Sequence, residues 1–286
     1  RRDLERAARD AGHRVTGLPF ERLVAQVQSG RSGIWGEDRE TEISTADAVI
    51  VRTMPPGSLE QVVFRMNLLA RLEKAGVQVV NPPRAIECAV DKYLTTARLV
   101  DAGLPTPQTI ICENSEAGLA AFERLGGDVV VKPVFGAEGR GILRVSDPDL
   151  ALRTFRTLER IGALLYLQEF IPHEGFDLRA MVLEGRVLAA MRRRSPHDFR
   201  TNVSRQARPE PAQLSAAEQD WAIRAAAAVG TRIAGVDILY DRSGAGYVIE
   251  VNGVPGWRAL RRVTSCDVAH ELIRSIEHWN PVRYAE

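Results

Sequence analysis

Cysteine is sparse. The 286 residues hold three, Cys88, Cys112 and Cys266, spaced too widely for a C-x-x-C redox pair or a zinc ribbon. A reducing compartment such as the cytoplasm fits that usage. Aromatic residues make up 6%, too few for a platform on which bases stack. Net charge is nearly absent: Lys plus Arg is 38 and Asp plus Glu is 37, a formal +1. That balance argues against a chain that grips nucleic acid by overall charge, so anion recognition has to be local. No apolar run approaches the roughly 18 residues of a membrane span. What is present, 45% hydrophobic and 26% charged residues, suits two folded domains or one large α/β domain.

Along the first 83 residues helical and strand patterns alternate. Helices are expected over 4–11 and 59–75, and strands near 15–18, over 48–52 and over 77–80. Alternation with continuous apolar strands reads as a parallel sheet covered on both faces. The opening helix has no strand before it, so the natural start is expected upstream of residue 1. Asn81-Pro82-Pro83 then interrupts the pattern, because proline donates no N–H and restrains its neighbour. A boundary is expected there, between an N-terminal α/β unit, 1–83, and a body, 84–286.

The body is α+β in style. Helices are expected over 91–102, 115–125 and 267–278, and strands over 108–112, 129–132, 164–169, 176–183 and 186–193. Asp147-Pro148 supplies an N-cap and a first-turn proline for another helix. Residues 195–211 show no period and carry Arg200, Arg205 and Arg208, which reads as one long functional loop. Ser215 and Glu218 form a capping box for a helix to Val229. Strands 233–240 and 247–252 then flank Ser243-Gly244-Ala245-Gly246 as a hairpin.

That hairpin carries the most informative spacing. Glu250 and Asn252 are two apart on one strand and share a face. If Tyr240 pairs with Tyr247, Asp237 falls opposite Glu250. Three hard oxygen donors would converge there, a set suited to Mg²⁺. The plainer reading is a solvated polar face, against which stand the apolar neighbours Ile233, Val236, Ile238, Val248 and Val251.

A second constellation is Lys132 followed by Gly136-Ala137-Glu138-Gly139-Arg140-Gly141 and then a strand, 142–145. Glycines here let main-chain N–H groups approach phosphate oxygens. The order is neither a Walker A loop nor a dinucleotide fingerprint. Taken alone, it is equally a plain hairpin loop. Asp91-Lys92 at a helix start and Gln168-Glu169-Phe170-Ile171 at a strand exit are each weak alone. Their order with Asp177-x-Arg179, Arg200-Thr-Asn202, Asp237 and Glu250-Val-Asn252 is the stronger signal.

In that order the sequence resembles the ATP-grasp superfamily and, within it, the RimK-like glutamate ligases, from about residue 81 to 278. The resemblance implies an ATP-grasp fold: an N-terminal parallel α/β domain, a central α+β lid at 106–171, and a C-terminal antiparallel α+β domain. It implies an ATP-dependent carboxylate–amine ligase acting through an acyl-phosphate. Lys92 and Lys132 would hold phosphates, with Gly136, Ala137, Glu138, Gly139 and Gly141 as the flap. Gln168, Glu169, Phe170 and Ile171 would form the adenine hinge, and Asp177 would reach the ribose. Arg200 and Asn202 would stand beside the transferred phosphoryl group. Asp237, Glu250 and Asn252 would bind two Mg²⁺, with Mn²⁺ able to substitute. L-Glutamate or a similar amino acid is the implied amine. The carboxylate acceptor stays open among a protein C-terminus, a carrier-protein glutamate and a pterin cofactor such as tetrahydromethanopterin. No membrane partner is implied, nucleic acid is disfavoured, and a homo-oligomer is compatible.

Three departures stand out. Ala137 replaces the family's usual Ser or Thr, Glu138 puts a carboxylate into the flap, and Gly253 stands where Ala or Ser is frequent, a change expected to be neutral. Arg192-Arg193-Arg194 ends a strand, where alternation turns one arginine inward, either as packing or to grip a substrate anion. A nucleotide-binding scaffold without turnover is the competing class, and the complete set Lys132, Arg200, Asp237, Glu250 and Asn252 argues against it.

Overall fold

Ser58 and Ser215 open their helices alike: each side chain accepts the N3 amide, and the N3 side chain, Gln61 or Glu218, returns a bond to the cap amide. Such local rules recur through the computed structural model, which describes residues 2–29, 31–136, 139–195, 198–201 and 207–279. The first part runs α1 (Arg2–Asp10), β1 (Leu23–Gln28), β2 (Arg31–Gly36), β3 (Ala48–Ile50), α2 (Leu59–Lys74) and β4 (Gln78–Val80). β3 and β4 are parallel, as alternation implies, but residues 15–18 form no strand. An antiparallel hairpin, β1 against β2, stands instead at 23–36. Asn81-Pro82-Pro83 leads without a linker into α3 (Pro83–Val90), which has proline in its first turn.

α4 (Lys92–Asp101) is capped by the Asp91 side chain, which accepts from the Leu94 amide at 3.0 Å. Next come β5 (Thr109–Cys112), α5 (Ser115–Arg124), β6 (Val129–Lys132), β7 (Leu143–Val145), α6 (Pro148–Arg160) and β8 (Leu165–Glu169). Their strands form a four-stranded sheet in the order β5-β8-β6-β7. Phe122 of α5 and Phe155 of α6 are buried against Val129, Val131, Leu165 and Leu167 beneath it.

The remainder is β9 (Phe176–Leu183), β10 (Arg186–Arg194), β11 (Arg208–Ala212), α7 (Ala216–Val229), β12 (Ile233–Tyr240), β13 (Gly246–Asn252), α8 (Arg258–Val263) and α9 (Val268–Glu277). A five-stranded antiparallel sheet runs β11-β10-β9-β12-β13. β11 corrects the expectation of one loop to residue 211. Its Pro209 and Pro211 hide it from sequence patterning, yet an edge strand tolerates them. α8 was likewise not foreseen.

Alternation sorts this sheet. Leu178, Ala180, Val182, Ala234, Val236 and Ile238 face α7 and Leu99 of α4. The opposite face, with Met181, Leu183, Met191 and Ile233, packs on Leu4, Ala7 and Ala8 of α1 and on Leu272 and Ile273 of α9. α1 thus rests on the sheet of the body as well as beside Val80 of β4. No helix among the described residues is long and apolar enough to cross a membrane.

Candidate active site

The second face of the five-stranded sheet changes character along its length. Beyond Met181 and Met191 the same alternation brings Arg179, Asp177, Arg193 and Asp237 inward, so an apolar floor becomes a charged one. Arg179 gives Nε and Nη2 to the two oxygens of Asp237, both at 2.6 Å. Arg193 Nη2 lies 2.8 Å from Asp237 and also pairs with Asp177, to which its Nε donates at 2.7 Å. The Thr201 hydroxyl donates to Asp177 at 2.6 Å. Burial alone would raise the Asp237 carboxyl, but the Arg179 and Arg193 guanidiniums hold it below the usual carboxylate range. Asp177, wholly buried and with fewer cations near it, is pushed up by burial despite Arg193.

Asp237 pairs directly with Glu250, as expected, although the anchor pairing differs. Tyr240 meets Gly246, not Tyr247, and Leu239 meets Tyr247. A register shift after Asp237 makes Ile249 an extra residue of β13 and restores the Asp237–Glu250 match. Asn252 sits opposite Gly235 on the face of Glu250 and donates to the Gly235 carbonyl at 3.3 Å.

The four-stranded sheet supplies the other wall. Val130 of β6 pairs with Gln168 of β8, which brings the Lys132 ammonium within 2.5 Å of Gln168 Oε1. Gln168 in turn donates to Thr109 at 2.9 Å. Burial brings the Lys132 pKa down to about 8. Burial also lowers that of Lys92, partly opposed by Glu250 and Asp91, and its ammonium donates to the Gly136 carbonyl at 2.8 Å. The Glu169 carboxylate accepts from the Gln108 amide at 2.7 Å.

Between the walls lies a solvent-open cleft. It gathers Lys92, Lys132, Gly136 and Gly139 with Gln168, Glu169, Phe170 and Ile171, and with Asp177, Arg200, Asp237 and Glu250. Gly141 and Asn252 do not line it. Ala137, Glu138 and Asn202 lie outside the described residues. Arg200 turns onto Asp198 at 2.8 Å and donates to the Ile142 carbonyl at 3.2 Å, bridging to the flap. Gly253 is more confined than its expected neutrality implies: a Cβ there would come 2.8 Å from Ala89 Cβ.

Sequence reasoning placed one arginine of 192–194 inward without telling which. It is Arg193, 1% exposed, while Arg192 and Arg194 lie over the Phe176 ring. It did not find Thr201, or Arg52, whose contact with Pro255 spans 203 positions. For Thr201 the available signal was its place between Arg200 and Asn202.

The donor set Asp237, Glu250 and Asn252 is all oxygen, which matches a hard divalent cation. Both Asp237 oxygens already meet arginines, but a carboxylate offers about four lone-pair sites, so ligation and pairing are compatible.

A RimK-like ATP-grasp domain profile matches residues 89–276. The tetrahydromethanopterin:alpha-L-glutamate ligase of Methanosarcina acetivorans is 36% identical over 267 positions, covering 84% of this chain and 82% of that protein. A probable alpha-L-glutamate ligase of Xanthomonas campestris pv. campestris is 32% identical over 279 positions, with 96% and 94% covered. Among solved structures, the ATP-grasp ligase PsnB with its minimal precursor superposes with TM-score 0.74 at 25% identity, covering 96% and 94%. A RimK domain ATP-grasp protein from Sphaerobacter thermophilus shares the fold, with TM-score 0.72 at 22% identity and coverages of 96% and 93%. This chain belongs to the RimK-like ATP-grasp family.

Proposed function

We propose that the protein is an ATP- and Mg²⁺-dependent carboxylate–amine ligase that joins L-glutamate, or a similar amino acid, to a carboxylate acceptor. The observation that carries this reading is one cleft in which the desolvated Lys92 at the start of α4, and Lys132 and a strand exit on the lid sheet, meet the register-paired carboxylates Asp237 and Glu250 on the body sheet. Lysines suit phosphate and oxygen donors suit the metal, so the cleft's ends divide the work.

An acceptor carboxylate oxygen attacks the γ-phosphorus of ATP, the bond to ADP breaks, and an acyl-phosphate forms. The amino-acid nitrogen then attacks the acyl carbon, phosphate leaves with the acyl C–O electrons, and the ammonium proton passes to solvent. Lys92 and Lys132 bind the phosphates, and Gln168 to Ile171 form the adenine hinge. Arg200, and by its motif Asn202, flank the transferred group. Asp177 acts mainly as a brace, since Arg193 and Thr201 engage its oxygens. Two Mg²⁺, with Mn²⁺ as substitute, would be held by Asp237, Glu250 and Asn252 and supply neutralisation of phosphate oxygens. Residues 106–171 serve as the lid.

The names of the relatives support glutamate as the amine, and that of the Methanosarcina protein supports a cofactor-sized pterin acceptor. Three free cysteines fit a cytoplasmic setting. The test is ADP release with Mg²⁺ and L-glutamate against pterins, peptides and carrier protein. Glutamate-dependent release with one acceptor class is expected; its absence with all three overturns the reading.

A further inference from the structure

Arg52, two residues past the end of β3, differs from the arginines around it. Arg179 and Arg193 meet Asp237 and Asp177, Arg200 meets Asp198, and Arg261 meets Asp3. No carboxylate of the described residues pairs with Arg52. Its guanidinium lies 3.9 Å over the Trp257 ring and donates one bond, 2.7 Å, to the Pro255 carbonyl. Burial lowers its pKa to about 10, with no acidic neighbour opposing the shift. The side chain is half-buried and stays charged at neutral pH, so it bears part of the desolvation cost that buried cations ordinarily offset with an anion.

Its position gives that anion a place. Pro255 packs over Gly235, where a Cβ would stand 3.3 Å from Pro255 Cβ and 3.6 Å from Arg179 Cδ. Gly235 is the partner of Asn252 and lies two residues from Asp237 on the same face of β12. Arg52 is not among the residues that line the cleft; through Pro255 it neighbours Gly235 and the Arg179 side chain that pairs with Asp237. The Trp257 ring fixes the plane of the guanidinium, which favours a planar, two-oxygen anion.

We propose that Arg52 receives the α-carboxylate of the incoming amino acid and so places its amine at the Asp237–Glu250 end of the cleft. The inference rests on the ligase reading, in which the amine is consumed and the α-carboxylate is left intact.

The test compares the wild type, Arg52→Met and Arg52→Lys with L-glutamate and with 4-aminobutyrate, which is glutamate without its α-carboxylate. ATP affinity and melting temperature are measured alongside. Arg52→Met is expected to raise KM for L-glutamate on the order of 10- to 100-fold, with kcat and ATP affinity within about threefold. The wild type is expected to prefer L-glutamate to 4-aminobutyrate by a similar factor. That preference should vanish in Arg52→Met and return in part in Arg52→Lys. An unchanged KM in Arg52→Met overturns Arg52 alone. So does an equal loss on both amines with a lowered melting temperature, the mark of a strut. A wild type without glutamate-dependent turnover overturns the ligase reading and this inference with it.

Discussion

Arg179 and Asp237 face each other across β9 and β12 through two parallel hydrogen bonds, and Arg193 approaches the same carboxylate at 2.8 Å. On the proposed metal assignment Asp237 would have two duties, one toward metal and one toward the two guanidiniums it already meets. Asp237→Asn should cut ADP release by more than about 100-fold and also cost roughly 3 to 5 kcal/mol of stability, because it strips a buried pairing. Glu250 forms no ion pair among the described residues, although its charge supports the desolvated Lys92 and Lys132, so Glu250→Gln should lose turnover while costing less stability than Asp237→Asn. Full turnover in Glu250→Gln would contradict the metal assignment.

Lys132 predicts a pH dependence of nucleotide binding. Its folded-state pKa of about 8 lies below the ordinary 10.5. Below about pH 8 both folded and unfolded chains carry the proton, and the folded one bears the full cost of a buried cation. Between about 8 and 10.5 the folded chain sheds the proton first, so this contribution to stability rises with pH. Phosphate binding runs the other way, since it needs the charged form. Calorimetry should find ATP affinity flat to about pH 8 and then falling by up to about tenfold per unit. Lys132→Met should bind more weakly and lose that slope.

Gly253→Ala should be harmful. The added carbon would meet Ala89 Cβ at 2.8 Å, and the neighbouring Thr231 and Asn81 leave little room to yield. Overpacking of this kind costs about 1 to 3 kcal/mol. Because residue 253 follows Asn252, turnover should fall along with the denaturation midpoint. An unaltered midpoint would show that Ala89 gives way.

Asn81 should be among the most sensitive positions outside the cleft. Its amide donates to the carbonyls of Ile233 and Gly253, and its oxygen accepts from the Arg232 and Ile233 amides. Asn81→Leu would leave main-chain groups of β12 and of the loop after β13 unsatisfied in a buried place. A loss of roughly 2 to 4 kcal/mol is expected in urea denaturation.

Asn81 also illustrates what was legible. Beside two prolines it read as an interruption, whereas its side chain ties β4 to β12; nothing local marks a partner 152 positions away. β1 escaped notice because a strand this exposed, with Val27 77% accessible, carries no one-sided apolar rhythm, and β2 because Ile34 and Trp35 stand between glycines. Several body helices were legible from capping side chains such as Asp91, Asp147 and Ser215, which act within a single turn, whereas α3 and α8 have no such side-chain cap and were not. Asp237 and Glu250 stood out because carboxylates on apolar strands are costly without use, whereas Lys92, at a helix start, was legible only from its order with the other motifs. The pairing of Asp237 with Arg179 and Arg193 depends on cross-strand register, and a one-residue bulge such as Ile249 shifts register without a motif of its own.

The bond from Arg200 to the Ile142 carbonyl carries a consequence for how the flap can change over generations. Its acceptor is main chain, present whatever side chain residue 142 bears. Substitutions along this rim leave the bridge in place, whereas an insertion or deletion displaces the carbonyl itself. A substitution at position 142 thus keeps the acceptor of this bond, and one at position 200 removes its donor.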